Sequence, residues 1–245
     1  MIFLPKVDYS KRQFLVYHRK TFELISTAFE TERIFREVPI AEFKELDGHY
    51  TELMTDVIGL IDDLSRLRGH NEYSYRHSLN VAIICGIIGK WSGYTGGILK
   101  DLILAGLLHD IGKRFIPLEI IDKPGKLSVK EMDIVEEHSS QGYNLLKELA
   151  GISSEVKTGV FQHYERLDGS GYPLGLSNEK ISIFARIIAI ADMYDAMTNE
   201  RIYRSQMSPY SAVQVIVADM DKKLDQNICM IFLTRIQNFL VDNSP

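Results

Sequence analysis

Apolar residues recur along this chain at three- and four-residue spacing, and no segment shows sustained alternation of every second residue. That period belongs to amphipathic helices rather than strands. Over residues 10–37, Phe14, Tyr17, Phe22, Ile25 and Phe29 set up a loose helical pattern, which Val38-Pro39 breaks. Leu53, Met54, Val57, Ile58, Leu60, Ile61, Leu64 and Leu67 then form one stripe, ended by Gly69. From Arg76 to Trp91 apolar residues cover nearly every face, which predicts a central buried helix. Ser92 to Gly96 reads as a turn, and the apolar segment Leu102 to Leu108 carries His109-Asp110 toward the end of the next helix, with Gly112 allowing the chain to turn afterwards.

Lys123-Pro124-Gly125-Lys126 reads as a loop. Ser128 with Glu131 forms a capping box that opens a helix through His138, and a separate helix is predicted over 142–149. Ser154 opens another helix, which reaches His163. Glu165 to Lys180, rich in Gly, Ser, Pro and Asp, reads as an irregular loop of a length often tied to function. Helix returns over Ile181 to Met197. Ser208-Pro209 is an N-cap followed by proline at the first helical position, and two helices over 210–220 and 225–240 complete the chain. The class is all-α: a helical bundle as one domain over 46–245, with a helical extension over 1–45 suited to dimerisation.

Composition changes this picture little. The chain is 45% hydrophobic and 25% charged, ordinary for a globular protein. A net charge of -5 argues against binding a nucleic-acid polymer through counterion release, but not against a small anion held by a local basic patch. Cys85 and Cys229 lie in apolar stretches and read as core residues of a reduced, cytoplasmic protein without disulfides. No apolar run approaches membrane-spanning length, and Met1 to Lys6 is too soon interrupted to read as a signal peptide.

The histidines carry the candidate chemistry. His18, His49 and His70 have polar neighbours and read as surface residues, whereas His77, His109, His138 and His163 fall one per predicted helix. Asp110 adjoins His109, and Asp192 lies inside the apolar run Ile187 to Met193. A buried carboxylate needs a cation or several donors. Taken singly, each histidine is as well explained as a satisfied core residue, and Asp195, one turn past Asp192, reads as a partner for Arg201. Taken together, histidine nitrogens and carboxylate oxygens from several helices suit first-row divalent ions. An Asp110 that bridges two ions would make a site that activates water and clamps a phosphoryl group during in-line attack.

Residues 163–173, His-Tyr-Glu-Arg-Leu-Asp-Gly-Ser-Gly-Tyr-Pro, resemble the signature of the HD-GYP family, a branch of the HD metal-dependent phosphohydrolases. The similarity runs from about Leu53 to Leu240. It includes Tyr73 to Ala82, Gly106 to Lys113, Lys123 to Leu127, Glu137-His138, Ala191 to Ala196 and Arg201 to Arg204. The resemblance implies hydrolysis of cyclic di-GMP to the linear dinucleotide and often on to GMP. It implies two divalent ions, iron or manganese, one held by His77, His109, Asp110 and Asp192, the other by Asp110, His138 and His163. It further implies that Lys113, Arg201 and Arg204 meet substrate phosphates and that Tyr172 lines the nucleotide pocket. Arginine forks onto phosphate oxygens and aromatic rings stack on bases, so the residue types suit those roles.

The chain departs from the family pattern at several positions. Tyr164 stands where a second successive histidine is usual, as a weak ligand or leaving the position to water. Tyr73 stands where some members carry a carboxylate for a third ion, Asn71 replaces a common aspartate, and Ile202 a usual proline. Two alternatives stay open: a sensor that binds cyclic di-GMP without turnover, and a phosphohydrolase acting on another cyclic dinucleotide.

Overall fold

A computed structural model describes residues 73–199 and 207–242. The expected stripe over 53–67, the extension over 1–45 with its dimerisation, the histidines at 18, 49 and 70, and Asn71, Arg201, Ile202 and Arg204 lie outside the described residues. Among the described residues the regular elements are helices, and the only extended pairing is an isolated antiparallel bridge between Asp168 and Ser177.

Helix α1 (Tyr73–Trp91) is buried over residues 77–89, as its mostly apolar character there requires; Leu79, Val81, Ile83, Cys85 and Ile88 have no solvent exposure. It packs against α2 (Gly96–Leu108) and α6 (Ile183–Thr198), most of whose apolar residues are also buried. A short helix, α3 (Leu118–Ile121), leads to the long α4 (Val129–Lys147). Helix α5 (Ser154–Gln162) lies against α2, α4 and α6, and so joins the two sides of the bundle. Helices α7 (Pro209–Met220) and α8 (Gln226–Asp242) close the far side, where buried Phe232 packs edge-on to Tyr194 with ring centroids 5.1 Å apart.

The capping box at Ser128 forms as expected. Its hydroxyl accepts from Glu131 N at 3.4 Å, the Glu131 carboxylate accepts from Ser128 N at 2.7 Å, and Lys123 donates to the same carboxylate at 2.7 Å. Ser208 likewise caps α7, with Pro209 in its first turn.

Three expectations need correction. Helix α2 ends at Leu108, so His109 and Asp110 occupy a turn leading into the 3-10 segment Ile111–Phe115, rather than the body of a helix. Gly112 belongs to that segment, and its role is close packing rather than turning: a Cβ there would overlap His138 O and stand 2.6 Å from Gly142 N. The same contact explains why α4 runs unbroken through Gly142 instead of dividing into two helices. Glycine in a helix costs about 1 kcal/mol relative to alanine, but Gly142 is buried against Gly112, Ile111 and Val160, where a side chain would crowd the contact.

Candidate metal centre

Five elements deliver the predicted ligands to one buried point. His77 comes from α1, His109 and Asp110 from the turn after α2, His138 from α4, His163 from the end of α5, and Asp192 from α6. All six are buried, Asp192 at 7% being the most exposed. Ligand atoms of His77, His109 and Asp192 lie within 4.8 Å of one another, as do those of His109, Asp110 and His163. His109 therefore belongs to both groups.

Asp110 stands between the two halves. Its Oδ2 is 3.3 Å from His109 Nε2 and 3.7 Å from His77 Nε2, while its Oδ1 is 3.5 Å from His138 Nε2 and 4.0 Å from His163 Nε2. Lys113 donates to Oδ2 at 2.6 Å. Burial would push this carboxyl up, but His109 and Lys113 beside it hold it well below the usual carboxylate range.

The imidazoles are oriented by their other nitrogen. His109, His138 and His163 each donate Nδ1–H to the carbonyl three residues earlier: Gly106 O at 2.8 Å, Val135 O at 2.6 Å and Val160 O at 2.7 Å. A carbonyl only accepts, so Nδ1 carries the proton and Nε2 presents a lone pair. His77 differs. Its Nδ1 donates to Asp195 Oδ2 at 2.7 Å, and its Nε2 lies 3.0 Å from Asp192 Oδ1. Burial lowers its pKa, but the two carboxylates outweigh that and bring it to about 9.

These donors fit a cationic occupant. His138 Nε2 and His163 Nε2 face each other at 3.2 Å, and two opposed lone pairs repel unless a cation or proton lies between them. A proton is disfavoured there, because burial pulls His138 down to about 4 and, together with His109 and His138, holds His163 well below its ordinary value. His109 Nε2 and Asp110 Oδ1 are buried with no hydrogen-bond partner, which is costly in a core unless a ligand uses them.

The irregular loop expected over 165–180 lies over this cluster. The Tyr172 ring stacks on Tyr164 with centroids 4.7 Å apart and planes 11° apart, and the Tyr164 ring stands edge-on to His138 at 5.3 Å. Burial pushes the Tyr172 phenol above its ordinary range. Tyr164 and Tyr172 thus gather at the His138–His163 side, while Lys113 bonds the Asp110 oxygen nearer His109. Arg201 and Arg204 lie outside the described residues. The sequence reading missed Asp195. Its carboxylate accepts from His77 and from Asn199 Nδ2, and the expected pairing with Arg201 falls on a residue outside the described ones. The signal was present, since a second aspartate one turn after Asp192 lies on the same helix face.

An all-helical fold with a buried cluster of four histidines around a His-Asp pair defines a class, and the chain belongs to the HD domain family, whose model matches residues 62–228. The HD-GYP resemblance is borne out within that family. The chain is similar to a cyclic di-GMP phosphodiesterase of Pseudomonas aeruginosa, at 35% identity over 173 residues, covering 71% of this chain and 42% of that one. It is also similar to a 3′3′-cGAMP-specific phosphodiesterase of Vibrio cholerae, at 36% identity over 170 residues, covering 69% and 39%. The chain therefore spans about two fifths of the length of these relatives. In fold it resembles the HDG"Y"P protein of Bdellovibrio bacteriovorus, with a TM-score of 0.67 at 17% identity, over 96% of this chain and 74% of that one. No helix among the described residues is long and apolar enough to cross a membrane.

Proposed function

We propose that this chain is a metal-dependent phosphodiesterase that hydrolyses cyclic di-GMP to the linear dinucleotide. The observation that carries the reading is the facing pair of Nε2 atoms on His138 and His163 beside a carboxylate whose two oxygens turn to different histidines. That arrangement suits two divalent ions, iron or manganese. His77, His109, Asp110 and Asp192 would hold one, and Asp110, His138 and His163 the other. Bound there, the ions would supply an activated water and neutralise charge on the phosphoryl group.

The remaining residues orient and bind. Lys113 keeps the Asp110 carboxylate turned between the two groups and offers positive charge to a phosphate at the rim. Tyr172 presents an aromatic face for a guanine base. Arg201 and Arg204 follow α6 and would fork onto phosphate oxygens. Residues 46–245 would form this catalytic domain and residues 1–45 a helical extension through which two chains pair. Free, buried Cys85 and Cys229 support a cytoplasmic setting.

A second substrate, 3′3′-cGAMP, is favoured by the Vibrio cholerae relative. The test is anaerobic purification, metal analysis, and product identification by chromatography with each cyclic dinucleotide in parallel. Metal-loaded protein that cleaves cyclic di-GMP fastest supports the reading; preference for 3′3′-cGAMP moves the substrate. Binding of cyclic di-GMP without cleavage makes the chain a sensor, and Tyr164 the first residue to restore to histidine.

A further inference from the structure

The loop over the metal centre has a base and a tip, held by different groups. At the base, Leu167 N donates to Lys223 O at 3.0 Å, Asn178 N to Leu167 O at 3.2 Å, and Arg186 reaches Asn178 O at 2.9 Å. These bonds tie the loop to α6 and to the turn before α8. The tip, residues 172–176, is folded back on Glu165. Leu174 N donates to Glu165 Oε1 at 2.7 Å, and Leu176 N to Glu165 Oε2 at 2.8 Å. The Leu174 side chain is 59% exposed, so packing of that residue does not hold the tip.

Glu165 itself is 3% exposed. A buried carboxylate is tolerated when charged-group hydrogen bonds replace its water, and here both oxygens take theirs from the loop backbone. Shape follows from that demand. The tip must return close to Glu165, and it does so at Gly171, where a Cβ would stand 2.5 Å from Glu165 Cα and from Arg166 N. Tyr172 N then donates to Tyr164 O at 3.3 Å. Tyr164 precedes Glu165 directly, and Tyr172 lies two residues before Leu174. One residue therefore carries one ring of the stacked pair on its backbone and fixes the segment bearing the other with its side chain.

We infer that Glu165 is a positioning residue for the nucleotide: its carboxylate holds the Tyr164–Tyr172 pair in register as the aromatic platform at the rim of the metal centre. This rests on the proposed cyclic dinucleotide substrate. Glu165 touches none of the six metal-directed side chains through its carboxylate hydrogen bonds, so its loss acts on substrate binding and leaves the metals in place.

The test compares wild type, Glu165→Ala and Glu165→Gln as metal-loaded full chains. Amide hydrogen exchange at Leu174 and Leu176 should accelerate in Glu165→Ala, while metal content per chain stays at the wild-type level. The KM for cyclic di-GMP should rise about tenfold, the equivalent of one charged hydrogen bond, with kcat changed by less than about threefold. Glu165→Gln keeps one acceptor and should fall between; it carries the test if the alanine variant does not fold. In a Tyr172→Ala background the Glu165 substitutions should add nothing further to KM, because the platform is already gone. Faster exchange with an unchanged KM would overturn the inference, as would loss of metal or a fall in kcat with KM unmoved. Wild-type protein that neither binds nor cleaves a cyclic dinucleotide would sink the proposed function, and the nucleotide role of Glu165 with it.

Discussion

The two halves that meet at Asp110 are built from similar residues and differ in charge. On one side His77 lies between Asp192 and Asp195, its imidazole held up to about 9 by their carboxylates. On the other, His138 and His163 have backbone carbonyls behind them and each other in front, and burial holds both below their ordinary value. One half is anionic before any ion binds, the other neutral. The anionic half should hold its ion tightly, since a carboxylate behind a histidine makes the ring a better ligand and fixes its direction. On the proposed assignment the neutral half has one ligand fewer, where Tyr164 stands, and should hold its ion more loosely. Similar residues thus give unequal sites, through the extra carboxylate of Asp192 in front and of Asp195 behind His77.

The largest effect should come from removing the residue the halves share. Asp110→Ala should lower turnover of cyclic di-GMP by roughly a thousandfold or more, in line with losing several kcal/mol of metal-derived stabilisation. Metal analysis should show both ions depleted; near wild-type turnover would refute the bridging role. Next comes the support of the anionic half. Asp195→Asn should weaken one ion by about tenfold to a hundredfold and leave the other unchanged, in a chelator-competition titration. Equal weakening of both would mean that the halves are not separable.

The comparison also predicts opposite responses to pH in metal-free protein. An imidazole held above its ordinary 6.5 stabilises the fold fully below that value and ceases to do so as pH rises through about 9, as for His77. One held near 4 gives its stability above 6.5 and loses it as pH falls from 6.5 toward 4, as for His138. Denaturant unfolding of chelator-treated protein should therefore be most stable near pH 6.5 and decline on both sides. His77→Gln should flatten the alkaline limb and His138→Gln the acid one. The smallest change should follow Tyr164→His. It supplies the loose half with another nitrogen and should slow loss of the weaker ion on dialysis by a few-fold, roughly a single ligand contact's worth; no change in retention would refute that assignment of Tyr164.

Much of this was legible in the sequence because local chemistry and burial agreed. Ser128 with Glu131 and Ser208 with Pro209 announce helix starts through bonds made within one turn, and α1 declares its burial by having no polar face. Asp192 stood out as a carboxylate in an apolar run. What was illegible depends on pairs far apart in the chain. Asp195 and His77 are 118 residues apart, and nothing local distinguishes an aspartate aimed at a histidine from one aimed at Arg201. Gly112 reads as a turn residue until α4 is placed against it, and the same contact makes Gly142 part of a continuous helix. The hold of Glu165 on Leu174 and Leu176 likewise appears only once the loop has closed.

The hydrogen bonds that aim His109 and His163 have another consequence. Both residues stand at helix C-termini, the first after α2 and the second after α5, and the carbonyls they bond, Gly106 O and Val160 O, belong to the final turns. Terminal carbonyls have no partner within their own helix. These two rings therefore finish a helix with one nitrogen while offering the other to an ion. His77 and His138, inside α1 and α4, have no such duty. An alanine scan of the four histidines would consequently read two different things. At 77 and 138 it reports mainly ligand loss, whereas at 109 and 163 it also frays the helix that delivers the ligand.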